Sequence, residues 1–475
     1  MKDNLLKNFL KFSYGSWIGM IIGLVTTMVI TRLLTPESFG KFSMYELFVQ
    51  MSMVFAIFGS DQAFIRFFYE EEKEKRTDLL YNSMKIPILT TIIILIGTFL
   101  FYKPITSFVF GEANISYVWY LNIGIITQLI FRYAQLVVRM QQKGNIYSVL
   151  QMLQRAFDFV LILSFFYLIG DNFQTLVSAR IVTILLLIIV AIYSTKDFWF
   201  YQSETTKQVR HTKMSIFKYG SPFVFTVFIS LLFQSFDKIA LRQWSDFDEL
   251  GIYSAAMKLV ALVMILRTTF SNFWTPVAFE KYENEPENRK FFRLINSLVA
   301  YIMLLVGIIS IAFREVIAML LGEQFQEAAI IVPFLIFMPV FFTISETTVM
   351  GINFVKKTYW HILISTLACG SNITLNWLLV PEYGAIGAAI ATAISIIIFF
   401  SLRTFISYYY YRVPYTAGRM YFMIGLLFVY SSLAVIGISF WENIFLGIAM
   451  GIVLTLVYQK EIKYIISNKQ VLMNS

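Results

Sequence analysis

Apolar segments long enough to cross a membrane follow one another along almost the whole chain, and this feature limits the fold more than any other. A helix needs about 20 mostly apolar residues to cross the roughly 30 Å of hydrocarbon in a bilayer. Fourteen segments approach or exceed this length: 12–34, 42–65, 86–102, 117–139, 149–170, 174–194, 215–236, 250–275, 292–313, 328–350, 358–380, 383–407, 418–438 and 441–458. The sequence therefore predicts an all-α integral membrane protein with about 14 transmembrane helices.

The composition excludes a water-soluble fold and several kinds of active site. Hydrophobic residues make up 58% of the 475 residues and charged residues only 14%, whereas soluble domains carry roughly 25% charged residues. Cys369 is the single cysteine, so neither an intrachain disulfide nor a thiolate metal cage is expected. The chain has no HExxH pattern and no Walker-type phosphate loop. We therefore expect a transporter without metal or cofactor, rather than an enzyme.

The distribution of basic residues predicts the orientation of the chain. If the N-terminus lies in the cytoplasm, 27 lysines and arginines fall on internal segments and 6 on external ones. Cytoplasmic loops of membrane proteins carry such an excess of basic residues. We therefore expect a multi-pass protein of the cell membrane with both termini in the cytoplasm. The same distribution argues against nucleic acid as a partner, in spite of a net charge of +9.

A weak internal repeat predicts the domain organisation. The sequence FSYGS at residues 12–16 opens the first span, and the similar FKYGS at 217–221 opens the seventh. Six spans separate the copies, so both insert in the same direction, as parallel repeats do. We expect two pseudo-symmetric six-helix lobes around a central cavity, followed by two extra helices. The predicted parts are an N-lobe (1–200), a cytoplasmic linker (201–214), a C-lobe (215–413) and extra helices with a cytoplasmic tail (414–475).

Several short sequences resemble one family of membrane proteins. They are RLLTPESFG at 32–40, GSDQAFIRF at 59–67, NITLN at 372–376 and PEYGAIGAA at 381–389. Their order and spacing resemble the Wzx-type oligosaccharide flippases of the multidrug/oligosaccharidyl-lipid/polysaccharide exporter superfamily, over residues 8 to 410. The resemblance implies movement of a polyprenyl-diphosphate-linked oligosaccharide, a surface polysaccharide repeat unit, from the inner to the outer leaflet by alternating access. Membrane lipids and glycan-assembly enzymes are the other partners that it implies.

The fourth predicted span carries a stripe of polar residues. Their spacings of 4, 3 and 4 place them on one face of a helix. A charge at mid-membrane costs about 2.5–3.5 kcal/mol on insertion scales, so such a face is expected to meet water or an anionic substrate. The substrate-binding candidates on this span are Gln128, Arg132, Gln135 and Arg139.

The fifth predicted span carries a second polar stripe at a similar depth. Gln151, Arg155 and Asp158 follow spacings of 4 and 3, and Gln151 and Arg155 are further substrate-binding candidates. Both stripes lie in the cytoplasmic halves of their helices, which predicts a cationic vestibule open to the cytoplasm. The alternative is that Arg155 and Asp158 neutralise each other and only hold helices together.

Other charged residues in or beside the spans complete the candidate site. Arg267 and Lys258 lie on opposite faces of the eighth span, and Arg267 is assigned to the cavity. The family resemblance places Arg66 at a basic position, which makes it a substrate-binding candidate. The candidates for a gate or for coupling to an ion are Asp61, Asp158, Asp237, Lys238, Glu346 and Arg180.

Arginine suits a diphosphate because its guanidinium presents paired donors and stays charged, but other functions compete with a glycan flippase. A cation-coupled multidrug exporter of the same superfamily is expected to place acidic groups inside the N-lobe, and the first span has none. A flippase for the lipid-linked peptidoglycan precursor differs only in its substrate, so the sequence leaves it open. A membrane-embedded glycan polymerase is expected to carry a long outer loop, which the predicted connections lack.

Overall fold

The computed structural model describes residues 2–199 and 209–467. Every regular element in this described part is a helix, and the chain divides into two units, 1–238 and 239–475. The helices that begin in the first unit are α1 (Lys2–Leu33), α2 (Pro36–Ile57), α3 (Ser60–Phe67), α4 (Arg76–Leu100), α5 (Tyr102–Phe110), α6 (Ser116–Met140), α7 (Gly144–Ile169), α8 (Phe173–Ser194), α9 (Lys196–Trp199) and α10 (Lys213–Trp244).

The second unit contains the remaining helices. They are α11 (Phe247–Asn284), α12 (Arg289–Ala312), α13 (Arg314–Ala318), α14 (Ala328–Leu335), α15 (Phe337–Thr348), α16 (Met350–Phe354), α17 (Tyr359–Tyr410), α18 (Ala417–Ile436) and α19 (Phe440–Ser467). The division between the units falls inside α10, whereas the sequence places the linker between the lobes at 201–214. Residues 201–208 of that linker lie outside the described residues.

An all-α multi-pass membrane fold is confirmed. Eleven helices in the described part are long and apolar enough to cross a membrane, and twelve if the bent pair α2–α3 forms one span. The 52 residues of α17 cover two predicted spans, 358–380 and 383–407, and the helix is broken at Gly384 (φ 51°, ψ −131°). At 1.5 Å per residue, α17 is long enough for two crossings. The total of fourteen spans stays a prediction.

The second predicted span, 42–65, is broken near its C-terminal end. α2 and α3 meet at an angle of 55°, because Phe58 and Gly59 both adopt left-handed conformations, with φ of 50° and 70°. Glycine adopts this conformation without steric cost. A Cβ atom at residue 59 would also collide with the backbone carbonyl of Gly220 in α10. Gly59 therefore permits both the break and the close approach of α10.

The buried core of the first unit fixes the helices that carry the polar stripes. Phe131 and Ala134 of α6 pack with Leu150 of α7 and with Ile184 and Leu187 of α8 in one apolar cluster. With this face of α6 in the core, the neighbouring face is left for its polar residues. The helices that carry the two polar stripes, α6 and α7, therefore have fixed positions in the first unit.

The two extra helices predicted after residue 413 pack against α12 within the second unit. The buried Asn443 of α19 donates through Nδ2 to the carbonyls of Ile311 and Ala312 at 2.9 and 3.0 Å. The hydroxyl of Tyr430 in α18 donates to the Asn443 carbonyl at 2.8 Å. These bonds satisfy the free carbonyls at the end of α12 and fix α18 and α19 to it.

Candidate functional site

A cavity of about 370 Å³ lies within the first unit, between α2, α3, α6, α8 and α10. Its walls combine amide, hydroxyl and charged groups with apolar side chains, and α10 contributes only apolar side chains. A volume of this order falls within the range of small-ligand sites. The polar residues that line it are Tyr45, Glu46, Gln50, Asp61, Gln62, Thr127, Gln128, Arg132 and Arg180.

An ion pair between α3 and α6 forms one wall of the cavity. Arg132 Nη2 lies 2.6 Å from Asp61 Oδ2, and the side chains of Arg132 and Asp61 are 35% and 9% exposed. The hydroxyl of Tyr133 anchors the start of α3, since it lies 2.8 Å from Ser60 Oγ and donates to the Ser83 carbonyl at 3.2 Å. The break before α3 thus places a buried carboxylate beside a half-exposed guanidinium.

A second arginine lines the cavity from α8. Arg180 Nη1 donates to Asp158 Oδ2 of α7 at 2.8 Å, and its Nη2 lies 3.9 Å from Glu46 Oε1 of α2. Tyr45, next to Glu46, is buried against α6, where a Cβ atom at Gly124 would collide with its hydroxyl. The sequence predicts Arg180 as a candidate for a gate or for coupling to an ion, and the structure places it in the cavity wall.

The cavity is neutral in formal charge, whereas the sequence predicts a cationic vestibule between the fourth and fifth spans, which stays a prediction. Arg132 and Arg180 contribute two positive charges to the lining. Glu46 and Asp61 contribute two negative charges. Glu46 belongs to neither polar stripe, so the spacing argument did not include it. Each arginine is therefore held by a carboxylate, and an anion that binds here has to replace one.

The stripe on α6 only partly faces the cavity. Gln128 and Arg132 line it, whereas Gln135 is half-buried outside the lining and Arg139 is exposed. At 100° per residue, the four positions stay within about 60° of one another, so they differ in height along the helix and not in direction. The α6 residues that line the cavity end at Arg132, and at 1.5 Å per residue Gln135 and Arg139 lie about 5 and 10 Å further along the helix axis.

Arg155 of α7 does not line the cavity. Its side chain is exposed and crosses α1 at two glycines, where Cβ atoms at Gly19 and Gly23 would lie 3.4 and 3.8 Å from it. Gln151, one turn earlier, is also outside the lining. The Arg155–Asp158 pair considered as an alternative is not formed, because Asp158 binds Arg180 instead.

Three further candidates lie elsewhere. Arg66 is 56% exposed and pairs with Glu70 one turn along the chain. Asp237 is buried, but neither it nor Lys238 lines the cavity. The structure therefore does not bring these three residues to the described cavity.

The second unit holds a cluster of charged side chains that come from three helices, α11, α15 and α17. Glu346 Oε1 of α15 accepts from Arg267 Nη2 of α11 at 3.1 Å and lies 3.4 Å from Arg403 Nη1 of α17. Arg403 also donates to Ser345 Oγ at 2.7 Å and is 8% exposed. Arg403 is not among the candidates from the sequence, although it lies inside the predicted span 383–407. Its position inside a predicted membrane span is the sequence feature that indicates its burial.

Among the residues that the structure describes, no group of three or more His, Cys, Asp or Glu side chains is arranged to hold a metal ion. The ionisable groups at the cavity are instead paired arginines and carboxylates. The arrangement is suited to binding charged and hydroxyl-rich groups by exchange of ion pairs.

Comparison with known proteins gives a family and a fold. Residues 5–282 match the family described as "Polysaccharide biosynthesis protein". The capsular polysaccharide biosynthesis protein CapF of Staphylococcus aureus is 22% identical over 424 residues, which is 86% of this chain and 99% of CapF. The structure is similar to that of the lipid II flippase MurJ in an inward closed conformation, with a TM-score of 0.69, 15% identity and coverage of 95% and 99% of the two chains.

A second structural likeness is to an inward-facing multidrug resistance MATE family transporter of the MOP superfamily. The TM-score is 0.62 with 13% identity, and the match covers 86% of this chain and 99% of the transporter. At these identities the likeness concerns the fold alone. The fold is the one found in these flippase and transporter structures.

Proposed function

This chain belongs to the polysaccharide biosynthesis protein family, and we propose that it is a flippase for a polyprenyl-diphosphate-linked oligosaccharide, a repeat unit of a surface polysaccharide. It moves this substrate from the inner to the outer leaflet of the cell membrane by alternating access. Glycan-assembly enzymes on the two sides of the membrane supply and consume the substrate.

The observation that carries this proposal is the Arg132 side chain in the cavity wall, which is 35% exposed and whose one ion-pair partner among the described residues is Asp61. Arginine binds phosphate through two parallel donors, and it is already at the cavity surface. The amides of Gln50, Gln62 and Gln128 in the same wall match sugar hydroxyls as donors and acceptors. The cavity thus offers both kinds of contact that a diphosphate-linked sugar requires.

Binding of the diphosphate at Arg132 has a consequence for Asp61. A phosphate oxygen that takes the place of the carboxylate leaves Asp61, which is 9% exposed, without its partner. An unpaired buried charge is costly, on the order of several kcal/mol, so Asp61 takes up a proton or a cation. This exchange links movement of the anionic substrate to movement of a small cation.

The membrane potential favours the outward direction. In a cell that is negative inside, an anion that moves outward releases about 2.3 kcal/mol per charge per 100 mV. The diphosphate is therefore driven outward without ATP hydrolysis if its charge crosses the field. Arg155, exposed on α7 and without an ion-pair partner among the described residues, is suited to capture the phosphate before it reaches Arg132.

A cation-coupled multidrug exporter is the second candidate, because Glu46 and Asp61 line the cavity of the first unit. Each of these carboxylates lies beside an arginine, which repels an organic cation and lowers its affinity. The arrangement therefore favours an anionic substrate. A peptidoglycan precursor is also anionic, and only the sugar distinguishes it.

The experiment that tests the proposal is a flipping assay with the purified protein in liposomes. A fluorescent polyprenyl-diphosphate-linked oligosaccharide is expected to cross the bilayer only when the protein is present, as followed by dithionite quenching of the outer leaflet. The peptidoglycan precursor and an organic cation serve as competing substrates. Transport of the cation but not of the lipid-linked oligosaccharide would overturn the proposal.

The Asp61→Asn variant is expected to flip substrate at a rate that no longer depends on the pH or sodium gradient. The amide cannot take up a proton or attract a cation when Arg132 turns to the substrate. Flipping rates are measured in liposomes with imposed gradients at a clamped membrane potential. The control is Glu37→Gln, since Glu37 is 52% exposed and pairs with Lys41 away from the cavity. An Asp61→Asn variant that responds to gradients as the wild type does would contradict the coupling.

A further inference from the structure

We propose that the second unit holds a separate anion site, formed by the Arg267–Glu346–Arg403 cluster. At this site an oxyanion replaces Glu346 as the ion-pair partner of Arg267. The oxyanion is a phosphate or a carboxylate. That it belongs to the flipped substrate rests on the proposed function, whereas the site itself rests on the geometry of the cluster.

The charges of this cluster do not balance. Two guanidinium groups share a single carboxylate oxygen, Glu346 Oε1, which lies 3.1 Å from Arg267 Nη2, 3.4 Å from Arg267 Nε and 3.4 Å from Arg403 Nη1. Among the described residues neither arginine has a second carboxylate partner. The cluster therefore carries a net charge of +1 inside a membrane-spanning unit, where an uncompensated charge is costly.

Of the two arginines in the cluster, Arg267 is the more exposed. Arg403 is 8% exposed and its Nε, which is buried, has no hydrogen-bond partner. The Arg267 side chain is 30% exposed, and its guanidinium lies 4.3 Å from the centre of the Phe342 ring. A cation over an aromatic face is held in place without losing its capacity to donate hydrogen bonds. An anion therefore reaches the cluster at Arg267.

Sharing of the carboxylate makes Arg267 easy to release. When Arg267 turns to an anion, Glu346 keeps its ion pair with Arg403 and lies 3.5 Å from the Ser271 hydroxyl. No unpaired carboxylate remains buried. In the first unit, by contrast, Asp61 loses its described ion-pair partner when Arg132 leaves. Arg403 is thus a positioning residue, which acts on the anion through Glu346.

The chemistry of the cluster defines the class of ligand. One excess positive charge and a guanidinium with free donors fit a group with one or more negatively charged oxygens. The same excess charge disfavours a metal cation. A phosphate group of the lipid carrier and the carboxylate of an acidic sugar are the two sources of such a group.

The test is a binding titration of the full-length protein in detergent, with inorganic pyrophosphate and glucuronate as separate probes. All variants carry Arg132→Gln and Arg155→Gln, so that the two arginines of the first unit that are assigned to the phosphate do not contribute. A charge-assisted hydrogen bond is worth roughly 1.5–3 kcal/mol, or about tenfold or more in affinity. Arg267→Gln is expected to weaken binding about tenfold or more, and Glu346→Gln to strengthen it by a similar factor, because it frees both arginines.

Two further variants distinguish a positioning role of Arg403 from a purely structural role. Arg403→Gln is expected to weaken binding, because Glu346 then holds Arg267 alone. The double variant Arg403→Gln/Glu346→Gln is expected to restore affinity at least to the level of the parent. If Arg403→Gln does not fold, the binding affinity of Glu346→Gln alone still tests the inference. Unchanged or weaker binding in Glu346→Gln, or no recovery in a folded double variant, would overturn the site.

The probes and the flipping assay keep the two proposals apart. Binding of pyrophosphate with this pattern supports the lipid carrier as the source, and binding of glucuronate supports an acidic sugar. If the pattern holds but liposomes show no flipping, the proposed function fails and the site stands. If flipping is observed and all variants bind both probes alike, the site fails and the proposed function stands.

Discussion

Replacement of Arg132 by alanine is expected to reduce flipping of the lipid-linked oligosaccharide by on the order of 100-fold. Arg132 lines the cavity and would donate two charge-assisted hydrogen bonds to the diphosphate, each worth roughly 1.5–3 kcal/mol. Because its side chain is 35% exposed, the effect on folding is expected to be smaller than the effect on transport. Initial rates are measured in liposomes that contain equal amounts of wild-type and variant protein.

Two controls show whether the loss arises at the substrate. The Arg132→Ala/Asp61→Asn variant removes the unpaired carboxylate, so it is expected to recover stability without recovering flipping. Lys85→Ala removes a cation of the same unit that is exposed on α4 and bonds only to Asn82 among the described residues. This variant is expected to flip normally. Full activity of Arg132→Ala, or recovery of flipping in the double variant, would show that Arg132 does not bind the substrate.

Replacement of Gly59 by alanine is expected to lower the free energy of unfolding by about 2–5 kcal/mol and to abolish transport. Overpacking costs roughly 1–3 kcal/mol, and a left-handed conformation costs a non-glycine residue about 1–2 kcal/mol. The new Cβ would collide with the Gly220 carbonyl, which pushes α10 away from the cavity that it lines. Thermal unfolding in detergent and the flipping assay measure the two effects.

The matched control is Gly97→Ala in α4. Gly97 is helical, and a Cβ atom built there meets nothing within 4 Å. Alanine at this position is expected to be neutral or to stabilise the helix by about 0.5–1 kcal/mol. An equal shift in unfolding temperature for both variants would show that the contact between residues 59 and 220 is not what matters. An unchanged Gly59→Ala variant would contradict the close approach itself.

The helices were largely predictable because their signal is local. All predicted spans coincide with helices, including the pair 358–380 and 383–407 that the structure joins in α17. Hydrophobic length is summed over neighbouring residues, so a single sequence contains it. The break between α2 and α3 was not predicted, because it depends on two consecutive residues with left-handed backbone conformations, Phe58 and Gly59. A phenylalanine gives no indication of that conformation.

The candidate site was less predictable because it depends on which charged residues of different helices pair with one another. The stripe on α6 correctly drew attention to Gln128 and Arg132, which line the cavity. It also included Arg139, which the structure leaves exposed. Glu46 was missed, since a lone glutamate near the start of the predicted span 42–65 resembles a solvated residue, whereas it lies in the middle of α2. Arg403 was also missed, in spite of its place in the predicted span 383–407.

The sequence by itself determined that the chain is a multi-pass helical membrane protein, because apolar length and charge are properties of contiguous residues. Only the tertiary structure decided which charges meet. Asp158 pairs with Arg180 of another helix rather than with Arg155 three residues away, and Arg132 finds Asp61 across 71 residues of chain. Ion pairs form where helix packing brings opposite charges within reach in a medium of low dielectric constant. That packing depends on contacts between segments far apart in the chain, which spacing along one helix does not contain.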